Sequence, residues 1–136
     1  MRYLAVDYGL KRTGLAICDA AETIASPYEV LHGQKDLAGR ISRIVVSENV
    51  EGIVLGLPLN MDGSEGPQAK RVRAFAKELK GHVCIPICFQ DERLSSFGAE
   101  QKWVEIGLGK GKKRDRLDAL AAAEILDAFL EHKRDG

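Results

Sequence analysis

The sequence has few cysteines and no long apolar run. The three cysteines, Cys18, Cys84 and Cys88, are an odd number in apolar surroundings, which favours reduced, buried thiols in a cytosolic protein. No pair of Cys or His ligands accompanies them at zinc-binding spacing. No apolar stretch approaches the ~20 residues that cross a bilayer, and residues 1–3 lead directly into a strand pattern without a secretory signal. We therefore expect a cytoplasmic protein with no membrane span.

The chain also lacks a net charge. Its 20 basic and 20 acidic residues contrast with the basic balance usual in general nucleic-acid binders. One local segment is nevertheless basic, since residues 110–116 carry five positive charges in seven positions. We expect a mobile glycine- and lysine-rich loop over residues 107–113, and basic side chains that contact phosphates. The simpler alternative is a solvated loop with no ligand.

Periodicity predicts one α/β domain over residues 1–136. Compact apolar runs or alternation predict five strands, over residues 2–7, 13–19, 28–31, 53–57 and 83–89. Helical spacing predicts helices over residues 35–48, 69–79 (closed by Gly81), 95–106 and 115–132. The order βββαβαβαα implies a mixed five-stranded sheet flanked by helices. Its first three strands are antiparallel, and the later strands return parallel to the first.

Asp7 is the most informative residue, because it is a carboxylate at the end of a buried strand. Such a group is costly to desolvate unless a positive charge meets it. One possible partner is the side chain of Lys11 or Arg12. The other is a metal ion held jointly with two further acids, Glu92 and Asp118.

The topology favours the second possibility. Ligands collect beyond the carboxyl ends of parallel strands, where Asp7 and the pair Asp91-Glu92 both fall. Asp118 shares a helix face with apolar residues, so it points toward the sheet. Alternation does not decide between Asp91 and Glu92. Asp115 lies three residues before Asp118 and is better read as a helix N-cap than as a ligand.

Three converging carboxylates predict a metal site. They remain ionised together only when cations are bound, and an all-oxygen set favours Mg²⁺ or Mn²⁺ over Zn²⁺. Two such ions about 3.5–4 Å apart would clamp a phosphodiester. The residues therefore predict a metal-dependent nuclease.

Motifs along nearly the whole chain resemble one family. They are Asp7-Tyr8-Gly9-Leu10-Lys11-Arg12-Thr13-Gly14, Ile53-Val54-Leu55-Gly56-Leu57-Pro58, Asp62-Gly63, Asp91-Glu92-Arg93-Leu94-Ser95-Ser96, and Lys112-Lys113 with Asp118 and Ala121-Ala122. In this order and spacing they resemble the YqgF family, whose members are called Holliday-junction-resolvase-like proteins or pre-16S rRNA nucleases.

The resemblance implies a ribonuclease-H-like fold and a cytoplasmic nuclease acting on structured nucleic acid. It places the catalytic and metal-binding acids at Asp7, Glu92 and Asp118. The basic residues near them are then expected to contact nucleic acid: Lys11, Arg12, Arg93, Lys112, Lys113 and Arg114.

The expected function is hydrolysis of phosphodiester bonds in processing the 5′ end of pre-16S ribosomal RNA, by a monomer or weak homodimer. The alternatives are a Holliday junction resolvase and a non-catalytic RNA-binding module. The segment Asp7-x-Gly9 also resembles the first phosphate loop of sugar kinases and actin-like ATPases, but those proteins need two such domains and this chain supplies one.

Overall fold

The structure, a computed structural model, describes residues 1–94 and 110–135. Five strands and three α-helices follow one another in the chain, with a short 3₁₀ turn after the fifth strand. They are β1 (Tyr3–Asp7), β2 (Arg12–Cys18), β3 (Ala25–His32), α1 (Leu37–Ser47), β4 (Gly52–Leu57), α2 (Pro67–Lys80), β5 (Ile87–Asp91), the turn Glu92–Leu94, and α3 (Lys110–Asp135).

The sheet has the predicted mixed topology. Its strand order is β3-β2-β1-β4-β5, in which β1 pairs antiparallel with β2 and parallel with β4. β2 and β3 are antiparallel, and β4 and β5 are parallel. β1 and β4 lie at the centre because both are apolar on both faces, as buried parallel strands usually are.

The helices cover the two faces of the sheet. Alternation sends Leu4 and Val6 into one apolar cluster, with α1 and α2, while Ala5 points into the other, with α3. α3 contributes Ala122, Ile125, Leu126 and Leu130 to that second cluster. Small residues such as Ala122 let the helix lie close to the strands. The predicted inward face of α3, which continues from Asp118 through Ala122 and Ile125, is confirmed.

Three sequence-based boundaries were wrong. The strand predicted over residues 83–89 is β5, Ile87–Asp91. Pro86 explains the difference, because proline has no N–H to donate and is restricted to strand starts and edges. The loop predicted to reach residue 113 ends by Lys110, where α3 begins. A glycine in a helix costs only about 1 kcal/mol relative to alanine, so Gly111 does not prevent the helix from beginning at Lys110.

The third wrong boundary concerns the strand predicted over residues 28–31, which extends over Ala25–His32 as β3. A register shift between Leu15 and Ala16 accommodates Pro27 in the pairing. The helix predicted over residues 95–106 lies outside the described residues.

The cysteines were also predicted incorrectly in part. Cys18 is buried, but Cys84 is exposed and Cys88 is only partly buried. Cys84 precedes β5 instead of lying within it, and β5 is an outer strand of the sheet. Within residues 1–94 and 110–135, no helix is long and apolar enough to cross a membrane.

Candidate active site

One edge of the sheet gathers most of the polar residues that the sequence singled out. β1, β4 and β5 are mutually parallel, so their carboxyl ends lie at the same edge. β2 begins at that edge with Arg12, and β3 ends there with His32, its partner in register. Asp7 closes β1 and Glu92 directly follows β5.

Asp7 and Glu92 meet at this edge. Their side chains lie within hydrogen-bonding reach of each other. Burial raises the pKa of Asp7 well above its usual range, and the charges of Glu92 and Asp118 raise it further. The structure therefore answers the question that alternation left open, because Glu92, not Asp91, faces Asp7.

Gly56 makes room for this contact. It lies in β4, between the strands that carry the two acids. A Cβ atom at this position would stand 2.5 Å from Oε1 of Glu92 and 2.6 Å from Cδ1 of Ile125. Only glycine lets both the carboxylate and the α3 side chain lie against the strand.

A second glycine places Asp118. In β2, Gly14 pairs with Asp7, and a Cβ at Gly14 would overlap the backbone carbonyl of Asp118. The backbone of α3 thus rests directly on β2 beside Asp7. Because of this close packing, the Asp118 carboxylate is near enough to raise the pKa of Asp7.

The Asp118 carboxylate is nevertheless bound to a cation of the chain itself. Arg12 Nε donates to Asp118 Oδ2 at 2.6 Å, and both side chains are less than a third exposed. From the sequence, Arg12 was considered as a partner of Asp7. In the structure its ion pair is with Asp118 instead.

The arrangement can be compared with what a divalent ion requires. Two neighbouring carboxyl groups in a partly buried place are an oxygen donor set that a hard cation would satisfy. Yet among residues 1–94 and 110–135 no three His, Cys, Asp or Glu side chains form a group that could hold a metal ion. Asp7 and Glu92 supply oxygen donors of the kind that such an ion takes, whereas Asp118 is paired with Arg12.

Asp91 and Arg93 form a separate structure beside the acids. The guanidinium donates through Nε and Nη2 to the Asp91 carboxylate, at 2.7–3.1 Å. Its Nη1 donates to the backbone carbonyl of Met61 at 3.1 Å. Arg93 therefore fastens the loop after β4 to the end of β5, and the nucleic-acid contact predicted for it stays a prediction.

The remaining predicted basic residues lie on two segments. Lys11 is exposed in the turn between β1 and β2. Lys112, Lys113 and Arg114 belong to the first turns of α3, where Lys113 is partly buried and Arg114 is exposed. Their predicted contacts with nucleic acid remain predictions.

Asp115 is not the helix N-cap that the sequence predicted, because α3 begins five residues earlier. Its Oδ2 lies 2.9 Å from Nε2 of His32. His32 was missed in the sequence, where three scattered histidines give no signal. Only the pairing of β2 with β3 places it next to Arg12.

The family model and the relatives that match this chain agree with one another. A family model described as "RuvX: Holliday junction resolvase" matches residues 1–132. A "Putative pre-16S rRNA nuclease" of Anaeromyxobacter sp. is 44% identical over 134 residues, covering 96% of this chain and 97% of the relative. The protein of the same name in Maridesulfovibrio salexigens is 40% identical over 132 residues, covering 96% and 98%.

Solved structures agree on the fold. Thermus thermophilus RuvC in complex with a Holliday junction substrate superposes with a TM-score of 0.63 at 13% identity, over 98% of this chain and 96% of that one. The fowlpox virus Holliday junction resolvase gives 0.56 at 14% identity, over 97% and 99%. The ribonuclease-H-like fold implied by the motifs is therefore confirmed.

Proposed function

The chain belongs to the RuvX family of Holliday-junction-resolvase-like proteins, and from this membership and its carboxylate edge we propose that it is a metal-dependent nuclease. The observation that carries the proposal is the contact between Asp7 and Glu92, with Asp118 beside them, at the carboxyl ends of parallel strands. In open α/β sheets, ligands bind at that position.

In this proposal the acidic and the basic side chains have separate roles. Asp7 and Glu92 would hold Mg²⁺ or Mn²⁺, with Asp118 as the third ligand. A bound divalent ion supplies a water of lowered pKa and neutralises charge on the phosphodiester. Lys11 and the basic first turns of α3 would hold the phosphate backbone and orient the scissile bond toward the acids, without reading sequence.

For the substrate, we propose the 5′ end of pre-16S ribosomal RNA, processed in the cytoplasm. The support is the shared name of the relatives, which match this chain over nearly its whole length. A four-way DNA junction is the second candidate, supported by the description of the family model.

A cleavage panel tests the proposal. Purified protein is incubated with a structured precursor RNA, a four-way DNA junction and a linear duplex, each with Mg²⁺, Mn²⁺ or EDTA. We expect metal-dependent cleavage of the RNA. Asp7→Asn should lower the rate at least about 100-fold, since it removes a ligand whose ion contributes several kcal/mol to the transition state. The matched control is Asp115→Asn, an acid one turn earlier on α3 that contacts His32 and should leave the rate near wild type.

The other outcomes have distinct meanings. Cleavage of the junction alone would favour the resolvase, and sedimentation should then show a dimer, because two symmetric nicks need two sites. RNA binding without cleavage in any metal would favour the binding module. Cleavage that survives Asp7→Asn would contradict the site assignment. Calorimetric titration with Mn²⁺ tests the expectation of two ions.

A further inference from the structure

Arg12 is the internal cation of the candidate site. Its guanidinium lies on Asp118, the third acid, at 2.6 Å, while the other two acids, Asp7 and Glu92, lie beside each other. A charge-assisted contact of this length is among the stronger hydrogen bonds in proteins. Within the described residues, no three His, Cys, Asp or Glu side chains form a group that could hold a metal.

We propose that Arg12 is a positioning residue that competes with the divalent cation for Asp118. Without metal, the guanidinium holds this carboxylate on β2; on metal binding, Asp118 exchanges one cation for the other. The inference deepens the proposed function and rests on it, because the competing ion is the one that the nuclease would use.

The local structure limits the exchange to side chains. α3 cannot move closer to β2, because the carbonyl of Asp118 already rests on the backbone at Gly14. Arg12 is the first residue of β2 and follows an exposed turn, so its long side chain has room to move. The released guanidinium would remain at the edge where the substrate phosphates are expected, and this would serve the phosphate contact predicted for it.

A neighbouring pair provides a matched control. Asp115 and His32 join α3 to β3 at 2.9 Å, one turn before the Asp118 contact. Arg12 and His32 are partners in register, so the two links connect the same helix to adjacent strands. His32→Gln replaces the imidazole in a helix–strand contact of similar position while leaving Asp118 and Arg12 unchanged.

The test measures Mn²⁺ affinity by isothermal titration calorimetry, without substrate, in wild type, Arg12→Gln, Arg12→Lys and His32→Gln. Arg12→Gln should bind Mn²⁺ at least about tenfold more tightly, because the ion no longer displaces a charged hydrogen bond. Arg12→Lys, which keeps the charge but loses the planar fork, should fall between the two. His32→Gln should match wild type. Thermal unfolding of each variant verifies that it is folded.

The alternative roles of Arg12 give other results. If Arg12 only braces Asp118 in a useful position, Arg12→Gln will bind Mn²⁺ more weakly, and the proposal is wrong. Unchanged affinity in Arg12→Gln also overturns it. Wild type and all three variants failing to bind Mn²⁺ would instead contradict the proposed metal-dependent function, so the two failures are distinguishable.

Discussion

At the scale of single residues, the candidate site is a set of acids whose charges are incompletely balanced. Asp7 is crowded by Glu92 and Asp118, and its pKa is raised by burial and by both charges. Asp91, two strands away from β1, has the opposite environment, because hydrogen bonds from Arg93 lower its pKa. The ionised carboxylates of Asp7 and Asp91 are therefore expected to have opposite effects on folding stability at neutral pH.

Asp7→Asn should stabilise the metal-free protein at neutral pH. A raised folded-state pKa means that the contribution of Asp7 to stability is complete below its unfolded pKa of about 3.9 and is lost as pH rises through the folded value. The amide does not ionise and so avoids this loss. At pH 7.5 the variant should therefore have a higher free energy of unfolding than wild type. On acidification to pH 5.5, the free energy of unfolding should increase less in the variant than in wild type. Urea denaturation in EDTA measures both.

The contrasting variant is Asp91→Asn, which removes a carboxylate whose pKa is lowered. That contribution is present above the unfolded pKa and is lost only as pH falls through the folded value. Asp91→Asn should therefore destabilise the protein at pH 7.5. An Asp7→Asn protein less stable than wild type in EDTA at that pH would refute the picture of repelling acids.

The sequence predicted the acids but not their partners. Asp7 was recognisable at the end of a strand pattern and Asp118 on an apolar helix face, whereas the choice of Glu92 over Asp91 rested on the resemblance to the family. The ion pair of Arg12 with Asp118 was not, because the two residues are 106 positions apart and only the packing of α3 on β2 joins them. Sequence proximity pointed to Asp7 instead.

At the scale of the elements, two glycines govern how close α3 and the acids come to the sheet. A Cβ atom at Gly14 would meet backbone, the carbonyl of Asp118, whereas one at Gly56 would meet side chains, the carboxylate of Glu92 and Cδ1 of Ile125. Backbone in a packed helix moves only with the whole element, but side-chain ends can turn.

Gly14→Ala and Gly56→Ala should therefore differ in their effects. Gly14→Ala forces α3 away from β2 and should lower the free energy of unfolding by about 1–3 kcal/mol, as overpacking usually does. Gly56→Ala should cost less stability but displace Glu92, so that Mn²⁺ affinity falls more than stability does. Denaturation and calorimetry on both variants check this. If Gly14→Ala and Gly56→Ala lose equal stability, crowding against backbone at Gly14 costs no more than crowding against side chains at Gly56.

The elements themselves were predictable where one signal dominated. β1 and β4 are apolar runs that end at a polar residue or proline, and their limits were nearly right. β5 was misplaced because residues 83–89 form an apolar run typical of a strand, and the effect of Pro86 within that run was underestimated. The start of α3 was misplaced because glycine and lysine suggested a loop, whereas packing of the later turns on the sheet extends the helix through them.

At the scale of the whole molecule, neutral charge and nucleic-acid binding are compatible only if the basic residues are localised. The expected contacts lie at one edge, on the turn after β1 and the first turns of α3. α2 follows β4 and runs back across the sheet, so its last turn, with Lys77 and Lys80, lies toward the opposite edge. The topology thus separates two groups of lysines that composition alone treats as equal.

Salt dependence of binding distinguishes these groups. Binding of structured RNA is measured in the Asp7→Asn background, to prevent cleavage, over a range of salt concentrations. Replacing Lys113 and Arg114 by alanine should weaken binding on all sequences and reduce the slope of log K against log salt by about one per charge, because each lost phosphate contact means that one counterion fewer is released on binding. Replacing Lys77 and Lys80 by alanine makes the same change in net charge at the far edge and should leave the slope unaltered. Equal losses in the two double variants would mean that net charge, and not the edge beside the acids, governs binding.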